Sequence, residues 1–422
     1  MSHNMQEKFD VIIIGASFSG LTLAHHLPKT YKVLVVDAKP FAGSSVESTG
    51  LITTHTREEF ASFFDIDAYI TNPISSICVV SPNYDDYFIS KTDDYWIYQT
   101  DTKALVRALA EKLSDNVTVW TGMAYDSVET HDGVSTIQLK GGGDVKIVTT
   151  TFLVGADGGH SSVAESIHQL DTNGTFLFGY EEVWIGDVLL GPLPAETIYH
   201  FWFGEFSLGY GGWLSPTTID SKPGFRIGLA KLKKDRGDAK KLLAQFMETL
   251  TEKKIVSLPA DVLKPEYRFG SFIPIGGVLK KTSFENTLLI GDAAGYCGAF
   301  AADGIKGSVI SGKESALLIE RYLNGERCNL AKTLREKINE HRWLIDYYTR
   351  QQRYRWIWDR MKKDRTFRAM YNIINEERAH FLDQFCDNKD RRKSLSRSVL
   401  KIKYIPKLVI YSWYIFLDFF VR

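Results

Sequence analysis

Three glycine–acid elements stand in order along this chain, each of a kind that can hold a nucleotide. The first is Gly15-Ala16-Ser17-Phe18-Ser19-Gly20, with a carboxylate about 20 residues on at Asp37. The second is Asp157-Gly158. The third is Gly291-Asp292-Ala293-Ala294-Gly295, with Gly304-Ile305 shortly after it. Turn glycines let backbone approach a pyrophosphate, and a helix N-terminus offers unpaired N–H groups and a positive dipole end. A carboxylate at the end of a buried strand can accept hydrogen bonds from sugar hydroxyls.

These residues need elements to position them, and the local patterns supply them. Val11–Ile14 is an unbroken apolar run, as expected of a strand buried on both faces. Leu21–Leu27 reads as the following helix and Val33–Val36 as the next strand, which ends in Asp37. Phe18, Ser19 and Ala38 flank this dinucleotide site. Ser17 stands where G-x-G-x-x-G has its middle glycine, and it is small enough to permit close approach. Ala42–Thr56 reads as an ordered loop rich in small and hydroxyl residues, and Arg57–Ile66 as a helix. Ile74–Val80 and Tyr84–Ser90 alternate like strands around Pro82-Asn83. Asp101 is a plausible N-cap for a helix over Thr100–Leu113. Short strands over Val117–Val148 form a meander, and Phe152–Val154 is a further buried strand. Residues from Thr175 to about Arg268 are aromatic-rich and mostly strand-like, with a helix over Asp238–Leu250. Thr287–Ile290 is another buried strand, followed by a helix over Gly304–Leu323. The nucleotide domain is therefore expected to be discontinuous, spanning 1–174 with 269–325. A second domain occupies 175–268, and a helical C-terminal region 326–422. The expected class is α/β: a Rossmann-type domain, an antiparallel-sheet substrate domain and a helical tail.

Composition narrows the function. The 422 residues suit more than one domain, and 51 basic against 51 acidic residues argue against a protein built to coat nucleic acid. Cys78, Cys297, Cys328 and Cys386 form neither a C-x-x-C pair nor a zinc spacing, so a reducing, cytoplasmic setting is expected and no metal site. The N-terminus lacks the apolar core of a signal peptide, and no run is long enough to span a bilayer. No G-x-S-x-G surrounds a serine, and His25-His26 reads as structural.

The three elements together resemble the FAD-dependent oxidoreductases of the para-hydroxybenzoate hydroxylase fold, which carry a Rossmann turn, a "DG" motif and a "GD" motif. Within that group the chain looks most like the geranylgeranyl reductase family. The residues that carry this are Gly291-Asp292-Ala293-Ala294-Gly295, then Ala302-Asp303-Gly304-Ile305, then Ser311-Gly312-Lys313. Phe269-Gly270-Ser271-Phe272-Ile273-Pro274 resembles the segment leading to that family's last FAD strand. Tyr210-Gly211-Gly212-Trp213-Leu214-Ser215-Pro216 resembles its substrate-domain signature PGGYxWxFP, matching at Gly209, Trp213 and Pro216, with the family's tyrosine falling on Gly211. The resemblance covers roughly residues 9–325 and implies FAD as cofactor. Asp292 would accept from the ribityl chain, with a helix-capping aspartate as the other reading. The N–H groups of Gly304 and Ile305 would face the flavin pyrimidine edge. Asp157 would lie near FAD, or simply cap a turn. Gln99 falls where the fold often offers an arginine to the pyrophosphate, and Ala124 where it makes backbone contacts to adenine. Gly50 lies in the loop over the flavin, where some archaeal members carry a cysteine that this chain lacks. In that loop Glu47 and His55 are possible proton donors, weighed against solvated loop residues. Tyr210, Gly211 and Trp213 would contact substrate, with Phe201, Trp202 and Phe203 lining an apolar tunnel.

The resemblance implies reduction of carbon–carbon double bonds in an isoprenoid chain by hydride from reduced flavin. The alternative is a class A flavin monooxygenase acting on an apolar or aromatic molecule, and a third reading is a flavin-containing binding protein without turnover. With no second nucleotide motif, NADPH would bind transiently or a reduced protein would donate electrons. The tail combines Lys401, Lys403 and Lys407 with the apolar run Leu408–Leu417. It reads either as an interfacial helix on the inner face of a membrane or as a helix packed on the protein's own core.

Overall fold

The computed structural model describes residues 7–192, 194–219, 221–379, 381 and 401–420. Its first sheet is built around Glu7–Ile14, whose Val11, Ile12 and Ile13 are wholly buried. This strand runs parallel to Val33–Asp37 on one side and to Asp144–Gly155 on the other, with Val11 opposite Val33 and Phe152. Val117–Thr121 extends the first side and Thr287–Leu289 the second, both parallel. Buried β-branched runs suit strands covered on both faces. Asp144–Gly155 is one strand where the sequence reading saw two. Its exposed first part pairs antiparallel with Val134–Gly141 and its buried end pairs parallel with Glu7–Ile14, so two environments disguise one element.

Helices cover this sheet. They are α1 (Phe18–His26), α2 (Thr54–Ala61), α3 (Thr102–Glu111) and the short α4 (Ser162–Ser166). Residues 42–56 are not all loop, and the helix expected from Arg57 starts earlier. Leu51–Thr53 is a strand, and α2 begins at Thr54 because the Thr53 hydroxyl accepts the Thr56 N–H at 3.4 Å.

The second sheet has seven strands, ordered Tyr267–Pro274, Phe176–Ile185, Lys222–Leu232, Gly211–Ile219, Thr197–Trp202, Ser76–Val80, Tyr87–Lys91. The pairs are antiparallel except Thr197–Trp202 with Ser76–Val80. Residues that the sequence boundaries left in the first domain, 76–91 and 269–274, thus supply strands of the second sheet. Helix α5 (Ala239–Glu252) sets Leu243, Phe246 and Leu250 against Leu214, Phe225 and Ile227 of this sheet.

The chain returns through α6 (Gly304–Leu323), then α7 (Leu330–Glu340), α8 (Leu344–Trp358), α9 (Asp364–Glu376) and α10 (Ile405–Phe419). Leu330, Leu334, Ile338 and Tyr348 join the same core as the central parallel strands, so α7 and the start of α8 belong to the first domain's core. The α/β architecture expected from the sequence is the one the chain adopts.

Candidate functional site

A cavity of about 850 Å³ lies between the two sheets and runs on beneath the C-terminal helices. At one end the chain turns sharply after Ile14. Gly15 has φ +113°, and a Cβ there would fall 2.2 Å from the Ala156 carbonyl oxygen, so only glycine lets the turn sit against the neighbouring strand's end. Gly20 is needed for a similar reason: its Cβ would lie 2.0 Å from the Gly15 oxygen. Ser17 has φ −131°, a conformation open to any residue, which is why this position does without glycine.

Of α1 to α7, only α1 and α6 lack a capping side chain at the N-terminus. Both open onto this cavity, through Ser17, Phe18 and Ser19 and through Gly304, Ile305 and Lys306. Two uncapped helix ends aimed at one space make a paired site for electron-rich groups. Between them stands Asp292. Its Oδ1 is buried without a hydrogen-bond partner, and burial pushes its carboxyl up to about 6. An unpartnered buried carboxylate is costly unless a donor arrives, and a polyol chain would bring hydroxyl donors to it. The residues present therefore fit FAD.

The "SG" pair in α6 has a structural role. The Ser311 hydroxyl accepts the Gly291 N–H at 2.9 Å, which fixes the loop carrying Asp292. At Gly312 a Cβ would lie 2.6 Å from the Ser19 carbonyl oxygen, so this glycine lets α6 pack tightly on α1. One helix thus ties the first and third glycine–acid elements together.

Asp37, Ala38, Ala124 and Asp157 also line the cavity. Asp37 accepts the Ala16 N–H at 2.7 Å and the Lys39 N–H at 2.8 Å, bracing the first turn. Asp157 accepts from the Ser161 hydroxyl at 2.6 Å and the Val163 N–H at 3.2 Å, and burial raises its carboxyl. The capping role weighed for it is thus visible, on a residue that also faces the cavity. Four expected residues lie behind the wall. Gly20 and Gly291 support the turns. Gly50 accepts from the Thr100 N–H and hydroxyl, pinning the overlying loop. Gln99 is buried in Ile97–Thr100, with both amide atoms unpartnered and off the cavity wall.

The two weighed proton donors separate. Glu47 is on the wall, bonded to Lys39 at 2.9 Å and to the Ser45 hydroxyl at 2.9 Å. Burial works against its charge, but Lys39 and Ser45 together hold the carboxyl below its ordinary value. His55 is not a solvated loop residue. It is buried in α2, off the wall, with Nε2 3.2 Å from Glu59. His341 bridges Glu59 at 3.4 Å and Glu314 at 2.7 Å, and Lys313 bonds Glu59 at 2.8 Å. Bonds to Glu314 and Glu59 raise His341 to about 9.

Tyr210, Gly211 and Trp213 all line the cavity. Trp213 Nε1 donates to Glu181 at 2.7 Å, and Arg226 Nε donates to the same carboxylate at 2.6 Å. A second Arg226 nitrogen reaches the Ser48 oxygen at 3.3 Å, joining the second sheet to the overlying loop. The Phe201 and Trp202 side chains lie outside the described residues, and Phe203 is on the wall.

The sequence reading missed the far wall. Trp358 of α8 and Met370, Tyr371 and Ile374 of α9 close that end, facing Val79 and Val80. A signal existed: Phe367, Met370, Tyr371 and Ile374 follow the i, i+3, i+4, i+7 spacing of a helix with an apolar face. Nothing in that spacing says which space the face borders.

Residues 10–69 match the family model described as FAD dependent oxidoreductase. A digeranylgeranylglycerophospholipid reductase of Methanococcus aeolicus is 22% identical over 97% of this chain and 99% of its own length. Among solved structures, a geranylgeranyl bacteriochlorophyll reductase-like protein of Thermoplasma acidophilum superposes with a TM-score of 0.74 at 17% identity, covering 93% of this chain and all of that one. A p-nitrophenol 4-monooxygenase of Pseudomonas putida gives 0.67 at 14% identity, over 93% and 98%. Fold, site and family model point to one class, the FAD-dependent oxidoreductases: the model matches residues 10–69, and the fold is shared along nearly the whole chain. Within that class, the resemblance to the geranylgeranyl reductases read from its motifs stands, carried by reductase-named relatives along nearly its whole length.

Proposed function

We propose that this enzyme reduces carbon–carbon double bonds of an isoprenoid chain. The observation that carries the reading is continuity: one cavity joins the nucleotide cradle to an apolar arm walled by Val79, Val80, Phe300, Trp358, Met370 and Ile374. A polyprenyl chain has the chemistry to fill such an arm, and burying it there removes water from the reacting carbons. FAD bound there would supply the hydride for one alkene carbon, its electrons coming from NADPH or a reduced protein donor.

The protein's part is to hold and orient. The α1 N-terminus and Gly15 would hold the pyrophosphate, Asp292 would accept from ribityl hydroxyls, and the α6 N-terminus with Lys306 would offset negative charge on the bound flavin. The other alkene carbon needs a proton. Glu47 is held ionised by Lys39 and is a poor source. Tyr210 is on the wall, and burial keeps its hydroxyl protonated, raised to about 12 with Arg355 opposing. Its Oη, which donates to the Phe300 carbonyl oxygen at 3.3 Å, is the proton-bearing atom we assign to this step.

The test is to reduce the holoenzyme anaerobically, add geranylgeranylated lipid and follow mass. Gain of hydrogen pairs is expected, and Tyr210→Phe should slow it with flavin content unchanged. No mass gain with several prenyl lipids would sink the reading. The monooxygenase alternative, favoured by the likeness to the p-nitrophenol enzyme's fold, predicts oxygen inserted into substrate when the reduced enzyme meets air.

A further inference from the structure

The C-terminal helix has two faces of opposite use. Tyr411 and Asp418 are seven residues apart, two turns of helix, and both point inward. Asp418 is fully buried and accepts the N–H groups of Lys362 (2.9 Å) and Lys363 (3.1 Å), the Thr366 hydroxyl (2.7 Å) and an Arg365 nitrogen (3.0 Å). Tyr411 packs with Trp358, Met361 and Phe367. This latch fixes the rotation of α10 about its axis. The opposite face then presents Val409, Trp413, Phe416 and Phe420 to the outside, with Ile402 and Ile405 ahead of them. Trp413 is 58% exposed, Phe420 69% and Ile402 84%.

We infer that this outward face is a docking surface for an anionic lipid bilayer, and that it places the apolar arm of the cavity against the lipid. A row of Trp and Phe on one face of a helix too short to cross a membrane suits burial at the headgroup–acyl boundary. Charge points to the sign of the lipid. Residues 391–407 contain seven basic residues (Arg391, Arg392, Lys393, Arg397, Lys401, Lys403, Lys407) and no acidic one. Lys401 and Lys403 pair with Glu377 and Lys407 with Glu376, which moors the start of the element to α9, while the four others lie outside the described residues. The third observation is position. Trp358 and Phe367, which α10 packs upon, are also wall residues of the cavity's far end. The helix that would touch lipid therefore covers the end of the arm that would take a lipid chain. This deepens the isoprenoid reading and rests on it for what enters the arm; the docking itself does not.

The experiment uses the full-length holoenzyme, sedimented with vesicles of equal parts phosphatidylglycerol and phosphatidylcholine, and with phosphatidylcholine alone. The wild type should bind the anionic vesicles, less as salt rises. The double variant Trp413→Ser/Phe416→Ser should bind at least about tenfold more weakly, with flavin content and melting temperature unchanged. No binding by the wild type, or equal binding by the double variant, overturns the inference. So does a wild-type dimer in light scattering that the double variant dissolves without any vesicle binding, since the face would then join two copies. Vesicle binding without mass gain on any prenyl lipid keeps the docking and removes the isoprenoid reading. Mass gain on detergent-dispersed lipid by a protein that binds no vesicle does the reverse.

Discussion

On the proposed reading, Asp292 trades stability for flavin binding. Its carboxyl is raised from an ordinary value near 3.8 to about 6 by burial alone. A raised carboxylate costs nothing below pH 3.8, where it is protonated folded and unfolded alike, and carries its full cost above pH 6. Asp292→Asn should therefore stabilise the flavin-free protein at pH 8, by about 1–2 kcal/mol in urea titration, and much less at pH 4. The same change should weaken flavin retention by roughly tenfold to a hundredfold, read by filter-bound flavin, because it removes a charged acceptor. His341 behaves with the opposite sign. Its folded value of about 9 exceeds the ordinary 6.5, so the stability from its bonds to Glu314 and Glu59 is complete below pH 6.5 and lost as pH rises through 9. Wild-type melting temperature should fall over that window, by on the order of 2 kcal/mol in stability after solvent screening, and His341→Gln should flatten the profile. Both side chains were visible in the sequence, but only Asp292 sat in a motif. His341 acquires meaning from Glu59 and Glu314, 282 and 27 residues away, a coincidence no spacing announces.

Helix α6 is the element that makes two distant motifs one site. Its N-terminus faces the cavity, Ser311 holds the Asp292 loop, and Gly312 admits α1. Gly312→Val would push a side chain onto the Ser19 carbonyl and Thr22. The expected cost is about 2–3 kcal/mol in urea unfolding, with faster flavin release because both uncapped helix ends move apart. A variant with unchanged flavin release would refute this coupling. The sequence made α6 legible through its "SG" pair and flanking strand, because buried strands and glycine turns are local signals. It misplaced the start of α2, because a loop rich in hydroxyl residues looks the same whether or not one of them caps a helix. It also split Asp144–Gly155, since alternation reports burial and this strand changes partner halfway.

For the whole molecule, the arm's length comes from three separate stretches: Val79–Val80, Phe300 and the helices α8 and α9. Filling it from the α9 side tests its use. Ile374→Trp should raise KM for a geranylgeranyl substrate by about tenfold or more while a geranyl substrate is spared, measured by competing the two chains in one assay. Equal loss on both would mean that the arm does not hold the chain. The second sheet likewise draws on residues 76–91 and 269–274, outside the stretch where composition suggested a second domain. Strand pairing over a hundred residues leaves no mark in local pattern, so which strands share the second sheet was not legible in the sequence.

By itself the sequence determined the glycine turns and strand ends at one end of the cavity. Gly15, Asp37, Asp292 and Gly304 are read from short-range rules, because a tight turn, a strand end and a helix start each constrain neighbouring residues. The tertiary structure decided the other end. It brought the C-terminal helices to close the cavity and sent Gln99 and His55 behind its wall. It also turned one face of α10 inward on Asp418 and left the other facing out. Those outcomes depend on which surfaces meet, and hydrophobic burial drives surfaces together without specifying in the sequence which partner each will find.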